Sequence, residues 1–385
     1  MNEKSIVSPE DQGATFVELF FDLVFVFAIT QVTHYAAHHL DAQGIVRSVL
    51  VFWLIWWGWT QFTWALNAAN TDHHEVRVGT LVSTAVAFVM AACVEHAFSA
   101  EVGQALWFAL SYIGVRTLGL GLYYRVAAAN DDEQRSAVAR FGILSLSGFA
   151  AVVLGAFLDP SLRIWVWSGA VLLDLGASKV ASRSSGWSLN GGHFAERHGL
   201  IVIIALGESL IVAGSAVVGS AVESATVEIL TISALALLMT CLLWWTYFGW
   251  VREVLEERLM SVDVSRQPRL ARDAYSLGHF PLVCGIIALA VGFEAVFHPD
   301  DYSVVQAGVA LGSGLGLFLV STAAALWRAE GCILWNRILV LGLTLIALYL
   351  ARGTAPAPLL AIVCAGLALI VAIEQITVRR RLARL

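Results

Sequence analysis

The chain has 385 residues, of which 58% are hydrophobic and only 14% charged, with a formal net charge of −6. Soluble domains carry about 25% charged residues, so a water-soluble chain of this length would lack the polar groups needed to cover two or three domains. That excludes a soluble enzyme and a nucleic-acid binder and points to a polytopic membrane protein.

A helix needs roughly 20 apolar residues to cross the hydrocarbon core. Windows of that kind fall at 15–36, 46–66, 78–98, 105–126, 138–158, 162–180, 198–219, 227–248, 277–297, 304–326, 333–350 and 357–377. The expected fold is all-α, with about twelve transmembrane helices, because strands of this length would leave backbone groups unpaired in lipid. With these windows, the termini and even-numbered loops hold 19 of the 23 Lys and Arg residues, from Lys4 and Arg77 to Arg379, Arg380, Arg381 and Arg384. The odd-numbered loops hold Arg47, Arg163 and Arg352, and Arg116 lies inside the fourth window. The basic excess places both termini in the cytoplasm. The opening residues are polar and lack a basic cluster, so the first helix is expected to be retained rather than cleaved. Cys93, Cys241, Cys284, Cys332 and Cys364 are scattered without CxxC or zinc spacing and are expected to be small packing residues.

The two halves align on polar and aromatic anchors. Phe16-Val17-Glu18 matches Phe194-Ala195-Glu196, and Trp56-Trp57 matches Trp244-Trp245. Gly79, Glu95 and Phe98 match Gly278, Glu294 and Phe297 at one offset, and Arg125 and Arg140 correspond to Arg328 and Arg337. The expected organisation is a first six-helix repeat over 1–180, a Ser- and Gly-rich cytoplasmic linker over 181–197, and a second repeat over 198–385. Six being even, the copies enter the membrane in parallel orientation, related by a pseudo-twofold axis along its normal.

Ionisable groups inside spans cost about 2.5 to 3.5 kcal/mol each on insertion scales and mark functional positions. Glu18 and Asp22 are four residues apart and share one helical face. Glu196, Arg197 and His198 open the seventh window, Glu208 lies near its middle, and Arg116 sits at a similar depth in the fourth. Arg116 and Glu208 are expected to pair, since either alone in hydrocarbon is uncompensated. Gln61, Asn67, Asp174 and His279, with Asp22, Glu196 and Arg197, are expected to line an inward-facing cavity. Candidate ion or proton translocation residues are thus Glu18, Asp22, Arg116, Asp174, Glu196, Arg197 and Glu208. No cofactor is implied. The one metal site that the topology permits, His34 and His38 with Glu95 and His96, is not favoured, and no HExxH, CxxC or phosphate-loop motif is present. The tryptophans near helix ends read as interfacial anchors, and mid-span Trp56 and Trp57 read as lipid or bundle contacts.

Three stretches carry a resemblance. The run Phe16-Val17-Glu18-Leu19-Phe20-Phe21-Asp22-Leu23-Val24-Phe25-Val26-Phe27, the run Glu196-Arg197-His198-Gly199-Leu200-Ile201-Val202-Ile203-Ile204-Ala205-Leu206-Gly207-Glu208-Ser209, and His279-Phe280-Pro281-Leu282 resemble the bacterial low temperature requirement A (LtrA) family over nearly the whole chain. The family pattern Trp-Trp-x-Tyr-Phe-Asp departs here to Trp244-Trp245-Thr246-Tyr247-Phe248-Gly249, which removes that acid. The resemblance implies a multi-pass protein of the bacterial cytoplasmic (inner) membrane, named for growth in the cold. Phe20-Phe21-Asp22-Leu23-Val24-Phe25 is also similar to the Phe-Ser-Asp motif that opens each six-helix repeat of lysosomal-type potassium channels, although Leu200 stands at the equivalent offset in the seventh window.

The leading expectation is a secondary transporter or a proton- or cation-translocating protein. Asp22 and Glu208 would protonate alternately while Arg116 exchanges partners and one bundle rocks against the other. The alternatives are a cation channel of two six-helix repeats and a membrane-embedded lipid-acting enzyme or sensor, for which no catalytic constellation is present. The expected partners are the lipid bilayer and a small solute or ion, with no nucleic acid.

Overall fold

A computed structural model describes residues 5–9, 12–181, 187, 189–219 and 227–382. Lys4, Arg384, most of the Ser- and Gly-rich stretch at 182–188, and the side chains of Arg379, Arg380 and Arg381 lie outside what is described. Among the described residues the secondary structure is helical, apart from one isolated bridge between Val7 and Ala69. Eleven helices there are long and apolar enough to cross a membrane, and a twelfth apolar helix, Trp335–Leu350, is shorter. This is an all-α polytopic membrane protein.

The chain forms two compact units. The first comprises Met1–Ile201 and Leu259–Arg272, and the second Val202–Arg258 and Asp273–Leu385. The first unit contains α1 (Phe16–His38), α2 (Ala42–Ala68), α3 (His74–Ala92), α4 (Val102–Asn130), α5 (Asp132–Ala156), α6 (Pro160–Ala181) and the opening turns of α7 (Gly191–Gly219). Thr15 starts α1 through a capping box with Glu18, and the Asp41 carboxylate starts α2 by accepting from the Gly44 amide at 2.6 Å. α2 is the inner helix: Trp53, Trp56, Trp57, Trp59 and Phe62 are all buried, as expected of a helix apolar around its whole circumference. Trp56 and Trp57 are therefore bundle residues.

Arg163 opens α6 and is fully buried, although its position in the sequence reads as a loop. Its guanidinium donates to the carbonyls of Gly155, Ala156 and Leu158 at the end of α5 and to those of Ala97 and Ser99. It thereby satisfies helix-end acceptors that lipid cannot.

The second unit holds the rest of α7, α8 (Val227–Phe248), α9 (Val251–Ser261) up to Arg258, α11 (His279–Phe297), α12 (Val304–Glu330), α13 (Trp335–Leu350) and α14 (Ala357–Leu382). α10 (Gln267–Leu270) runs into a π-helical turn, Ala271–Leu277, which leads to α11. The sequence reads the region of α9, α10 and this turn as a cytoplasmic loop, because its charges hide the helical pattern. α11 and α12 approach closely at Gly285 and Gly314: a Cβ on Gly285 would lie 2.7 Å from the Gly314 carbonyl oxygen, and one on Gly314 would lie 2.7 Å from that of Gly285. Small residues at such a crossing are how membrane helices reach backbone contact. On α13, Leu339, Leu343, Ile346 and Leu350 are exposed along one face, the composition of a surface that meets acyl chains.

Candidate functional site

Two helical ladders meet in the first unit. Glu18 and Asp22 lie four residues apart on α1, as do His193 and Arg197 on α7, so each pair occupies one face of its helix. Glu18 and Asp22 are each 0% exposed. Arg197 divides its guanidinium between them, giving Nη1 to Glu18 at 2.6 Å and Nη2 to Asp22 at 2.7 Å. Glu18 is otherwise saturated: Oε2 accepts from the Thr15 amide and hydroxyl at 2.9 Å each, and the His193 ring nitrogen Nε2 stands 3.0 Å from Oε1. Asp22 is lopsided. Its Oδ1 accepts from Trp59 Nε1 at 2.8 Å as well as from Arg197, whereas Oδ2 is buried and receives no hydrogen bond.

The start of α7 completes the arrangement. The Asn190 side chain accepts from the His193 amide at 3.1 Å, an N-cap three residues before its target. Asn67 pairs with the Asn190 backbone on both sides, accepting from its amide and donating to its carbonyl at 2.9 Å each, and stands 3.1 Å from His193 Nδ1. Glu196 is half-buried and accepts from the Ala14 amide at 2.9 Å.

Arg116 and Asp174 form a second buried cluster in the same unit, and here the expected pairing is corrected. Arg116 gives Nη1 to Asp174 Oδ2 at 3.2 Å and Nη2 to Oδ1 at 3.3 Å. Its remaining hydrogens go to the Gln61 amide oxygen, to the Tyr112 hydroxyl at 2.6 Å and to Ser145 at 3.4 Å. A guanidinium has five N–H donors. All five are used inside the first unit, so Asp174, not Glu208, answers Arg116. Gln61 and Asp174 thus serve this cluster while Asn67 serves the first, which divides the polar set expected in one cavity. Glu208 is buried in the part of α7 that belongs to the second unit.

The second unit has its own ionic cluster, which the sequence reading passes over. Arg337, in the first turn of α13, gives Nε to Glu374 Oε1 at 2.7 Å, Nη2 to Oε2 at 3.0 Å and to the Thr246 carbonyl at 3.0 Å, and Nη1 to Thr322 at 2.6 Å. Trp250 Nε1 donates to Glu374 at 2.7 Å. Arg337 reads as a loop cation, and only Glu374, an acid near the end of the last apolar window, signals the pair. His279 bonds within this unit too: its Nδ1 donates to the Ala274 carbonyl at 3.0 Å, and its Nε2 accepts from the Tyr247 hydroxyl at 2.7 Å. Missed in the first cluster are His193 and Trp59. The signal for His193 is Asn190 standing at cap spacing before it.

Among the described residues no group of three or more His, Cys, Asp or Glu side chains is placed to hold a metal ion. His38 instead bonds the His34 carbonyl at 2.8 Å.

Residues 13–372 match the family described as bacterial low temperature requirement A protein (LtrA). An uncharacterized protein of Rhizobium meliloti (strain 1021) is 28% identical over 320 residues, covering 80% of this chain and 76% of the relative. No solved structure matches the chain. With the family match spanning nearly its whole length, and the acidic stretches of α1 and α7 inside it, the chain belongs to the bacterial low temperature requirement A (LtrA) family.

Proposed function

We propose that this protein is a secondary transporter that moves a proton or another small cation, alone or with a solute, across the bacterial cytoplasmic membrane, with both termini in the cytoplasm. The observation that carries this reading is one arginine, Arg197, shared by two fully buried carboxylates, Glu18 and Asp22, with Asp22 Oδ2 left without a donor. A static clamp needs one acid per arginine, as Arg116–Asp174 and Arg337–Glu374 illustrate. A second carboxylate in a dry site is costly unless a mobile charge joins it.

In this scheme Asp22 and Glu208 are loaded and unloaded alternately. Arg197 takes the role of the group that shifts between partners, and Glu196 lies at the approach to the site. Arg116 and Asp174 hold the scaffold around it. The proposal keeps two parallel six-helix repeats, 1–180 and 198–385 joined by 181–197. It is supported by a buried arginine in each unit that touches comparable helices: Gln61 of α2 and Asp174 of α6 in the first, Thr246 of α8, Thr322 of α12 and Glu374 of α14 in the second.

The test is flux in proteoliposomes under ion gradients, with Asp22→Asn and Glu208→Gln beside the parent. Loss of flux in both variants is expected. Parent flux equal to that of empty liposomes rejects translocation, and unchanged flux in both variants removes these residues from it.

A further inference from the structure

We infer that the ion balancing the Glu18–Asp22–Arg197 cluster is a proton, held on Asp22 Oδ2. The inference rests on the translocation reading for the proton's mobility but not for its presence. It begins with the protonation state of His193, which hydrogen-bond directions fix. Asn67 Oδ1 accepts from the Asn190 amide at 2.9 Å, so the other end of the Asn67 side chain is the NH2 group. That NH2 donates to the Asn190 carbonyl at 2.9 Å and faces His193 Nδ1 at 3.1 Å, so Nδ1 accepts. The ring hydrogen is therefore on Nε2, where it donates to Glu18. His193 is neutral.

The charge count follows. Glu18 and Asp22 bring two negative charges and Arg197 one positive. Of the neighbouring titratable groups on α7, His198 directs Nδ1 to the Phe194 carbonyl of its own helix at 2.9 Å and meets Trp59 through its ring, while Glu196, a half-buried carboxyl engaged with the Ala14 amide, supplies no positive charge. A surplus carboxylate charge on groups that are 0% exposed costs several kcal/mol.

A metal cation fits poorly. Hard cations take about six or more oxygen ligands, but both oxygens of Glu18 and Oδ1 of Asp22 are filled by N–H and O–H donors, whose hydrogens would face the ion. A proton needs a single open lone pair, and Asp22 Oδ2 provides it. Loading forms one O–H bond there and brings the cluster to zero; unloading breaks that bond and returns the negative charge. On Glu18 the added hydrogen would point at an existing donor.

The experiment is infrared spectroscopy of the full chain in lipid at neutral pH. A protonated-carboxyl C=O band that shifts in heavy water is expected. It should move when aspartate carries carbon-13 in its side-chain carboxyl and stay put when glutamate does, which requires no variant to fold. Asp22→Asn should abolish the band completely. Absence of the band, its movement with labelled glutamate, or its survival in Asp22→Asn overturns the inference, as does its removal by sodium or potassium chloride at fixed pH. A band with these properties in a protein that moves nothing in proteoliposomes would reject the translocation reading and leave the proton assigned.

Discussion

If Asp22 carries a proton, replacing its carboxyl by an amide should hardly be felt, whereas the same change at Glu18 should be severe. Asn at position 22 keeps an oxygen to accept from Trp59 and Arg197, now at 2.8 Å and 2.7 Å from Oδ1. Its NH2 occupies the position of Oδ2–H, and neither group has an acceptor there. The two forms match in shape and charge and differ by a single N–H donor, so Asp22→Asn should lie within about 1 kcal/mol of the parent, the size of an ordinary hydrogen-bond adjustment. Glu18→Gln removes the partner of Arg197 and also sets an amide N–H among the donors of Thr15 and His193. Breaking one side of a buried ion pair costs about 3–5 kcal/mol, and the loss should fall in that range. Arg197→Met, which strands both acids, should cost at least as much. Unfolding in mixed micelles, titrated with a denaturing detergent, ranks the three variants. A loss at Asp22→Asn equal to that at Glu18→Gln would mean that Asp22 is an ionised, full partner of Arg197, and would refute the charge count.

The neighbouring structure gives further expectations. Arg116→Lys should destabilise the first unit by about 1–3 kcal/mol or more, since an ammonium has three donors where Gln61, Tyr112, Ser145 and both oxygens of Asp174 are now served; a stability equal to the parent would show that charge alone suffices there. Arg163→Met should loosen the α5–α6 corner by taking the guanidinium donors from five carbonyls, read as faster amide exchange at the end of α5. Gly314→Leu should destabilise by forcing α12 away from α11, by about 1–3 kcal/mol or more as an overpacked contact. Wild-type stability would mean that the two backbones do not touch.

How much of this was legible beforehand divides along physical lines. Hydropathy locates the spans because lipid imposes one length on every crossing helix, and Trp335–Leu350 is visible although short. α9 escapes detection because Arg252, Glu253, Glu256, Glu257 and Arg258 break the apolar run. The acids and Arg197 stand out because charge is rare in spans, yet their partners do not follow from depth. Arg116 and Glu208 lie at similar counts along their helices, but depth along a helix fixes neither rotation nor neighbour, and Asp174 holds the place. Arg163 and Arg337 resemble loop cations because a buried cap and a snorkelling side chain look identical in sequence. His193 is hidden for the opposite reason, sitting in a stretch rich in Gly and Ser that reads as linker.

The proposed transport cycle requires the buried carboxylate site on α1 to load and unload a cation. Proton movement into proteoliposomes, driven by an imposed membrane potential and followed with a trapped pH indicator, tests it most directly. The parent should change the internal pH faster than empty liposomes, and Asp22→Asn, folded and inserted in equal amount, should fall to their rate. An Asp22→Asn protein that moves protons as fast as the parent would contradict it.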